Sequence, residues 1–281
     1  MTAGTQHSAT RSASAPTAGT SVSPRTRSVW SRRINGVALS LAPIAVLILV
    51  WQLWVTANGG DSLFIVSPLT AARQAWVLIA NGQLLDNMMA SLERVLIGVS
   101  IGAAVAIPLG IAIGWIPAAE RTLKPIVELL RPVPIPAWVP LFILLFGIGQ
   151  RPAVLLIALA SFIPIVVNTW DAVRYTNPVH VRVAEMLGAS PLQVLRFVVF
   201  PSSLPGIVTG LRLGLGIGVM AVVLAELMAV RSGLGYMIQV AQVEFDMPTI
   251  LVGIASTAVL GFSLGAILNA IVRKAMPWRH R

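Results

Sequence analysis

An all-α polytopic membrane protein with six transmembrane helices is the fold class this sequence predicts, on three observations. Hydrophobic residues make up 56% of the 281 residues and the mean hydropathy is +0.84, which leaves too little polar surface to cover a water-soluble globule. The apolar residues gather into six runs, at 36–56, 95–116, 125–149, 153–170, 206–229 and 250–272. Each is close to the ~20 residues that cross a hydrocarbon core, and none shows the short alternating pattern of an outer-membrane barrel strand. The 20 basic residues are also unevenly shared. With the N terminus in the cytoplasm, Arg11, Arg25, Arg27, Arg32, Arg33, Arg121, Lys124, Arg174, Arg182, Arg196, Arg273, Lys274, Arg279 and Arg281 fall inside, only Arg73, Arg94, Arg151 and Arg231 fall outside, and Arg131 and Arg212 sit at or within helix ends. The net charge of +10 thereby becomes a sign of orientation, with both termini cytoplasmic, instead of a nucleic-acid footprint.

Residues 1–30, rich in Ser, Thr, Ala and Arg, are expected to form a disordered cytoplasmic tail. Residues 31–63 supply the first transmembrane helix and an outer loop. Arg32-Arg33 serve as anchoring charges, because the run they precede is too long for a signal peptide. Ser67-Pro68 starts a short outer helix that runs to about Ile79 and stops at Asn81-Gly82. It orients the bundle and carries no chemistry.

Small residues recur at four-residue spacing in the second, fifth and sixth runs: Gly98/Gly102, Gly110/Gly114, Gly206/Gly210/Gly214/Gly218 and Gly261/Gly265. In lipid such stripes let helix backbones approach, as fixed packing or as a sliding surface. The third run opens Arg131-Pro-Val-Pro-Ile-Pro-Ala-Trp-Val-Pro140, which cannot sustain a regular helix. Irregular backbone survives at membrane depth only when buried in protein or lining a wet cavity, so Pro134, Pro136 and Trp138 become pathway candidates. Trp51, Trp54, Trp115, Trp138 and Trp170 fall near run ends, as an aromatic belt would.

Glu226 is the one acid well inside a run, and Arg212 the matching base in the inner half of the fifth. Glu226 reads as a gate or structural pair, or as an interfacial carboxylate; Arg212 reads as an anion attractor or as a side chain reaching for the cytoplasmic surface. There is no cysteine, and His7, His180 and His280 are too scattered to hold a metal. No buried His/Glu cluster or nucleophile with a base points to an enzyme.

The most informative stretch is a polar island within 171–205. Asn177-Pro178 opens a helix, Gly188 breaks it, and Ser190-Pro191-Leu192-Gln193 opens a second with a capping box. Leu192, Leu195, Val198 and Val199 are expected on one face of that second helix, which Pro201 and Pro205 end. The product is a helix–turn–helix knob on the cytoplasmic side, shaped to fit a groove in another protein.

This island resembles the EAA loop of ABC-importer permeases. The resemblance extends over residues 64–270, through Ala90–Gly98, Pro108–Gly110, Leu130–Pro140, Phe146–Gly149, Ala225–Met228 and Gly233–Tyr236. It is nearest to the nitrate/sulfonate/taurine permease group. It implies a type I permease fold over 64–272, with the coupling loop at 171–205 and a basic cytoplasmic tail at 273–281. Gly188, Pro201 and Pro205 match the loop pattern, Ala184 holds the second Ala, and Arg182 and Val183 replace the usual Glu and first Ala. Arg182, Ala184, Gly188, Ala189, Ser190, Pro201 and Pro205 are then the ATPase-coupling residues.

The implied role is alternating access in a bacterial inner membrane. A permease dimer, most simply a homodimer, receives a sulfonate, taurine, nitrate or similar small anion from an extracytoplasmic binding protein. ATP and magnesium act in a separate ATPase dimer, since this chain has no Gly-Lys dipeptide and hence no phosphate loop. The alternative is an ATP-independent secondary transporter or channel. Gly188→Asp is expected to abolish transport by misshaping the turn.

Overall fold

The protein is seen in a computed structural model that describes residues 29–276, so the expected tails lie largely outside the described residues. The chain divides into two units, residues 1–49 and 50–281. Helix α1 (Val29–Ala57) begins in the first and ends in the second, and its apolar segment is Ala42–Ala57. The remaining helices belong to the second unit: α2 (Pro68–Ala80), α3 (Gln83–Trp115), α4 (Pro117–Leu130), α5 (Val139–Phe146), α6 (Gln150–Arg174), α7 (Pro178–Met186), α8 (Pro191–Val194), α9 (Phe200–Met228), α10 (Leu234–Val243) and α11 (Met247–Ala275).

Among the described residues, α3, α6, the run from α8 through α9, and α11 are each long and apolar enough to cross a membrane unbroken. The expected span at 125–149 is different. It is a pair, α4 and the segment Ile135–Phe146, bent by 95° across the break, and a fifth crossing only if the pair is taken as one. Residues Ile135–Trp138 form a 3-10 turn, because the prolines before it remove the donors that a continuous helix needs. The second span also starts earlier than expected. Gly82, at φ +80°, turns the chain after α2, and α3 runs through the polar stretch 83–94 before the apolar run begins. At 33 residues, α3 is about 50 Å long, more than a hydrocarbon core needs.

At the centre stands α6, the most buried of the four unbroken membrane-crossing helices. The glycines of α3 and α9 flank it on two sides. A Cβ at Gly102 would lie 2.6 Å from the Ala158 carbonyl oxygen, and one at Gly214 would lie 2.7 Å from Ile165 Cγ1. The stripes therefore permit a backbone approach that any side chain would prevent. Gly261 meets Val219 at 3.3 Å, whereas Gly265 faces open space, so the sixth-run pair packs at only one of its two positions. Trp170 is not in an aromatic belt: it is buried among Ala106, Ile113, Val127, Ile165 and Val166, with Lys124 Nζ 5.9 Å from its ring centroid.

The short outer helix forms as its sequence indicates. Ser67 caps α2 by accepting from Thr70 N, and α2 is tied to α11 by a 2.9 Å bond from Gln74 Nε2 to Thr249 Oγ1. Asp61 holds that cap in place, accepting from the Ser67 amide at 2.5 Å and from the Thr70 hydroxyl. The Thr70 bond foremost, then the Ser67 amide, holds the Asp61 carboxyl below its usual range. A depressed folded value means that the tie is complete above the unfolded pKa of about 3.9 and is lost as pH falls through the folded value. Amide exchange at Ser67, corrected for its intrinsic rate, should show protection near neutrality and lose it in acid. In Asp61→Asn the protection should be weak at both.

Candidate functional site

The polar island is a compact knob at the end of the bundle where α3 and α6 finish. Asn177 caps α7, accepting from Val179 N at 2.9 Å. At its other end Gly188 takes φ +81°, Ala189 N donates to Ala184 O at 3.1 Å, and Gly188 N donates to Glu185 O at 2.9 Å. That pair of bonds is a Schellman turn, and Ala184 and Ala189 both join the small apolar cluster beneath it. The capping box then forms: Ser190 N donates to Gln193 Oε1 at 2.7 Å and Gln193 N to Ser190 Oγ at 3.4 Å. Ala184, Gly188, Ala189 and Ser190 are thus the residues that make the turn, and Val194 and Val199 anchor it against Ile111, Trp115 and Val173.

Two expectations about the knob need correction. Pro201 and Pro205 do not end the second helix. Residues Leu195–Val199 form a π-turn, after which Pro201 lies in the first turn of α9 and Pro205 inside it, so the loop helix continues into the span. Of the expected inner face, Leu195, Val198 and Val199 do turn inward, but Val194 is buried in place of Leu192, which is 72% exposed. Met186 (86% exposed), Leu187 (82%) and Phe197 stand out with it, giving the knob an apolar outer surface. Beside them is a 670 Å³ concavity lined by His180, Ala184, Leu187, Phe197, Pro201 and Pro205. Arg182 is exposed on α7 and makes no ion pair among the described residues.

The pathway candidates separate into three places. Pro134 and Trp138 line a 240 Å³ cavity at the break after α4, together with Arg131, Ile135, Pro164 and Ile217; Pro136 is exposed outside that lining. Leu159–Pro164 lies midway along α6, so the cavity opens at mid-bundle. Arg212 lines a separate 670 Å³ cavity between α9 and α11, near Asn269 and Arg273.

Glu226 lines neither. It is fully buried at the end of the bundle opposite the knob, where Arg94 Nη1 meets its Oε1 at 2.6 Å. Ser91 Oγ donates to it at 2.8 Å and Gly235 N at 2.9 Å. Arg94, 3% exposed, also bonds Gln150 Oε1 and the carbonyl and hydroxyl of Ser232, and Asn87 accepts from Gly233 N at 2.8 Å. One network therefore joins α3, α6, α9 and the turn into α10, with no buried side-chain polar atom lacking a partner among the described residues. Glu226 is a paired carboxylate, and Arg94 is its partner instead of an outer surface charge. The missed signal was the spacing of Asn87, Ser91 and Arg94, which puts three polar side chains on one helical face.

The profile described as binding-protein-dependent transport system inner membrane component matches residues 98–277. The taurine transport system permease protein TauC of Escherichia coli K12 is 40% identical over 247 residues, covering 86% of this chain and 90% of the relative. The riboflavin transport system permease protein RibX of Chloroflexus aurantiacus is 34% identical, covering 92% and 96%. Among solved structures, an inward-facing form of the MetNI methionine ABC transporter matches 71% of this chain and 96% of its own, with TM-score 0.60 at 20% identity. That likeness is one of fold.

Proposed function

The chain belongs to the family of binding-protein-dependent transport system inner membrane components, the permeases of ABC importers, and on that premise we propose that it imports a small sulfonate of the taurine kind. The permease lies in a bacterial inner membrane with both termini cytoplasmic and pairs with a second copy of itself. An extracytoplasmic binding protein hands over the substrate. A separate ATPase dimer, using ATP and magnesium, grips the knob from the cytoplasm and turns its own closure into movement of α6 and α9.

The observation that carries this reading is the knob. Its backbone is locked by a Schellman turn and a capping box, yet its large apolar side chains face outward with nothing on them. A rigid support under exposed Met186, Leu187, Leu192 and Phe197 is what a coupling contact requires, since pre-organised apolar anchors lose little entropy on docking. The continuous π-turn connection into α9 supplies the mechanical link from that contact to a span. Relatives with different cargoes have similar identity, so the choice of cargo leans on charge: Glu226, the one buried acid among the described residues, is neutralised by Arg94.

The test is reconstitution of this chain with the ATPase and binding protein that co-purify with it from native membranes, followed by uptake of labelled taurine with and without ATP. ATP-dependent taurine accumulation is the expected result. Uptake of riboflavin but not taurine would overturn the cargo, and uptake without ATP would restore the ATP-independent transporter.

A further inference from the structure

We propose that Arg131 is an anion-binding residue of the translocation pathway, its guanidinium receiving the substrate's sulfonate midway through the bundle; this rests on the importer reading above. Arg131 caps the C-terminal end of α4, where the prolines break the chain, and it lines the 240 Å³ cavity with Pro134, Ile135, Trp138, Pro164 and Ile217. The cavity lies beside the middle of α6, far from both ends of the spans. Arg131 is exposed, so its charge is not buried in the protein, and the partner such a cation would ordinarily take is an acidic side chain.

None is present. All ten acidic side chains of the protein lie in the described residues, and none pairs with Arg131. Glu226 is taken by Arg94. Glu128, one turn back on the same helix, is 3.8 Å from Lys124, and Glu120 pairs with Arg174. A helix C-terminus favours a cation, which accounts for a base at the end of α4 but not for a cavity opening onto it. Without Arg131 the other lining residues are apolar, so the guanidinium is the single charge that the cavity offers. Its planar fork fits two oxygens of a sulfonate at once. The volume also favours a small ion, being below the ~300–1,000 Å³ of sites for drug-sized ligands.

The protein has no cysteine, so Val133→Cys, on the cavity wall, gives this chain a unique thiol. The measurement is the rate at which that thiol in the assembled transporter is modified by a sulfonate-bearing methanethiosulfonate and by its trimethylammonium counterpart, each normalised to a free thiol and read by mass on this chain. The anionic reagent should react faster by about tenfold, Arg131→Gln should bring the ratio to about one, and Arg131→Lys should retain much of the preference. A purely structural arginine would leave the ratio unmoved. Ile135→Cys repeats the measurement at a second wall position should the first variant fold poorly.

A ratio that is indifferent to Arg131→Gln overturns the proposal. So does wild-type taurine uptake in an Arg131→Gln transporter, because the site would then lie off the route. If the parent complex carries no taurine at all, the cargo reading falls, while the reagent ratio still decides the fate of Arg131.

Discussion

Leu187→Asp releases the ATPase from the permease while the permease still inserts and folds: this is the result expected at the knob. Leu187 follows α7 and is 82% exposed, so the fold does not depend on its packing. On the coupling role proposed for the knob, Leu187 is a central apolar anchor, and a charge there would be buried against the partner without an ion to meet it. Loss of such an anchor costs about 2–4 kcal/mol, or roughly 30- to 1,000-fold in affinity. Co-purification of the ATPase from detergent, with the thermal melting of the permease as control, reads the effect directly. Retention of the ATPase at wild-type levels would remove the knob from the interface. Gly188 gives a second reading of the same contact. A Cβ at Gly188 meets nothing within 4 Å, so crowding is not the reason to keep glycine; the reason is φ +81°. Aspartate tolerates that region better than β-branched residues do, so Gly188→Asp should impair transport without the complete loss expected from the sequence, and Gly188→Val should be the more severe of the two. Misshaping of the turn then follows from backbone strain instead of a clash.

Much of this was legible in the sequence because it depended on local chemistry. Ser67-Pro68 and Ser190-Pro191-Leu192-Gln193 announce helix starts whose bonds involve only neighbouring residues, and both form. Gly188 marks a helix end for the same reason. Glycines four apart foretold close packing, although not that α6 would be the helix held between two stripes. What remained hidden was non-local or a matter of register. Leu192 lies three residues before Leu195 and Val194 four before Val198, so helical spacing alone does not choose between them, and Val194 is the one buried. Arg94 and Glu226 are 132 residues apart in the chain. Arg94 counts as an outer charge in any tally by position, and only the fold shows it turned inward. The proline-rich break was evident, but its 95° bend and the cavity at Arg131 depend on how α4, packed on α3, ends beside the middle of α6.

Arg94→Ala is expected to be among the most destabilising single changes in the protein, with Glu226→Ala close behind. Each leaves its partner's charge buried and unmatched, a loss of about 3–5 kcal/mol for a pair of this kind. For a unit of this size that lowers Tm by roughly 10 °C, measurable by thermal unfolding of the purified protein. The double variant Arg94→Met/Glu226→Leu removes both charges and replaces them with apolar volume. It should recover much of the loss, though not all, because Ser91, Gln150 and Ser232 lose partners as well. The same variant separates the two roles left open for Glu226. A folded double variant that still transports assigns the network to holding α3, α6, α9 and the turn into α10 together. A folded but inactive one assigns it to a gate that must part and re-form at each cycle. The geometry favours the first: Glu226 accepts from a guanidinium, a hydroxyl and a backbone amide at once, and opening it would expose all of them in the same step. With this end of the bundle fastened, movement driven from the knob is expected to be taken up where no such network exists, at the proline break beside Arg131.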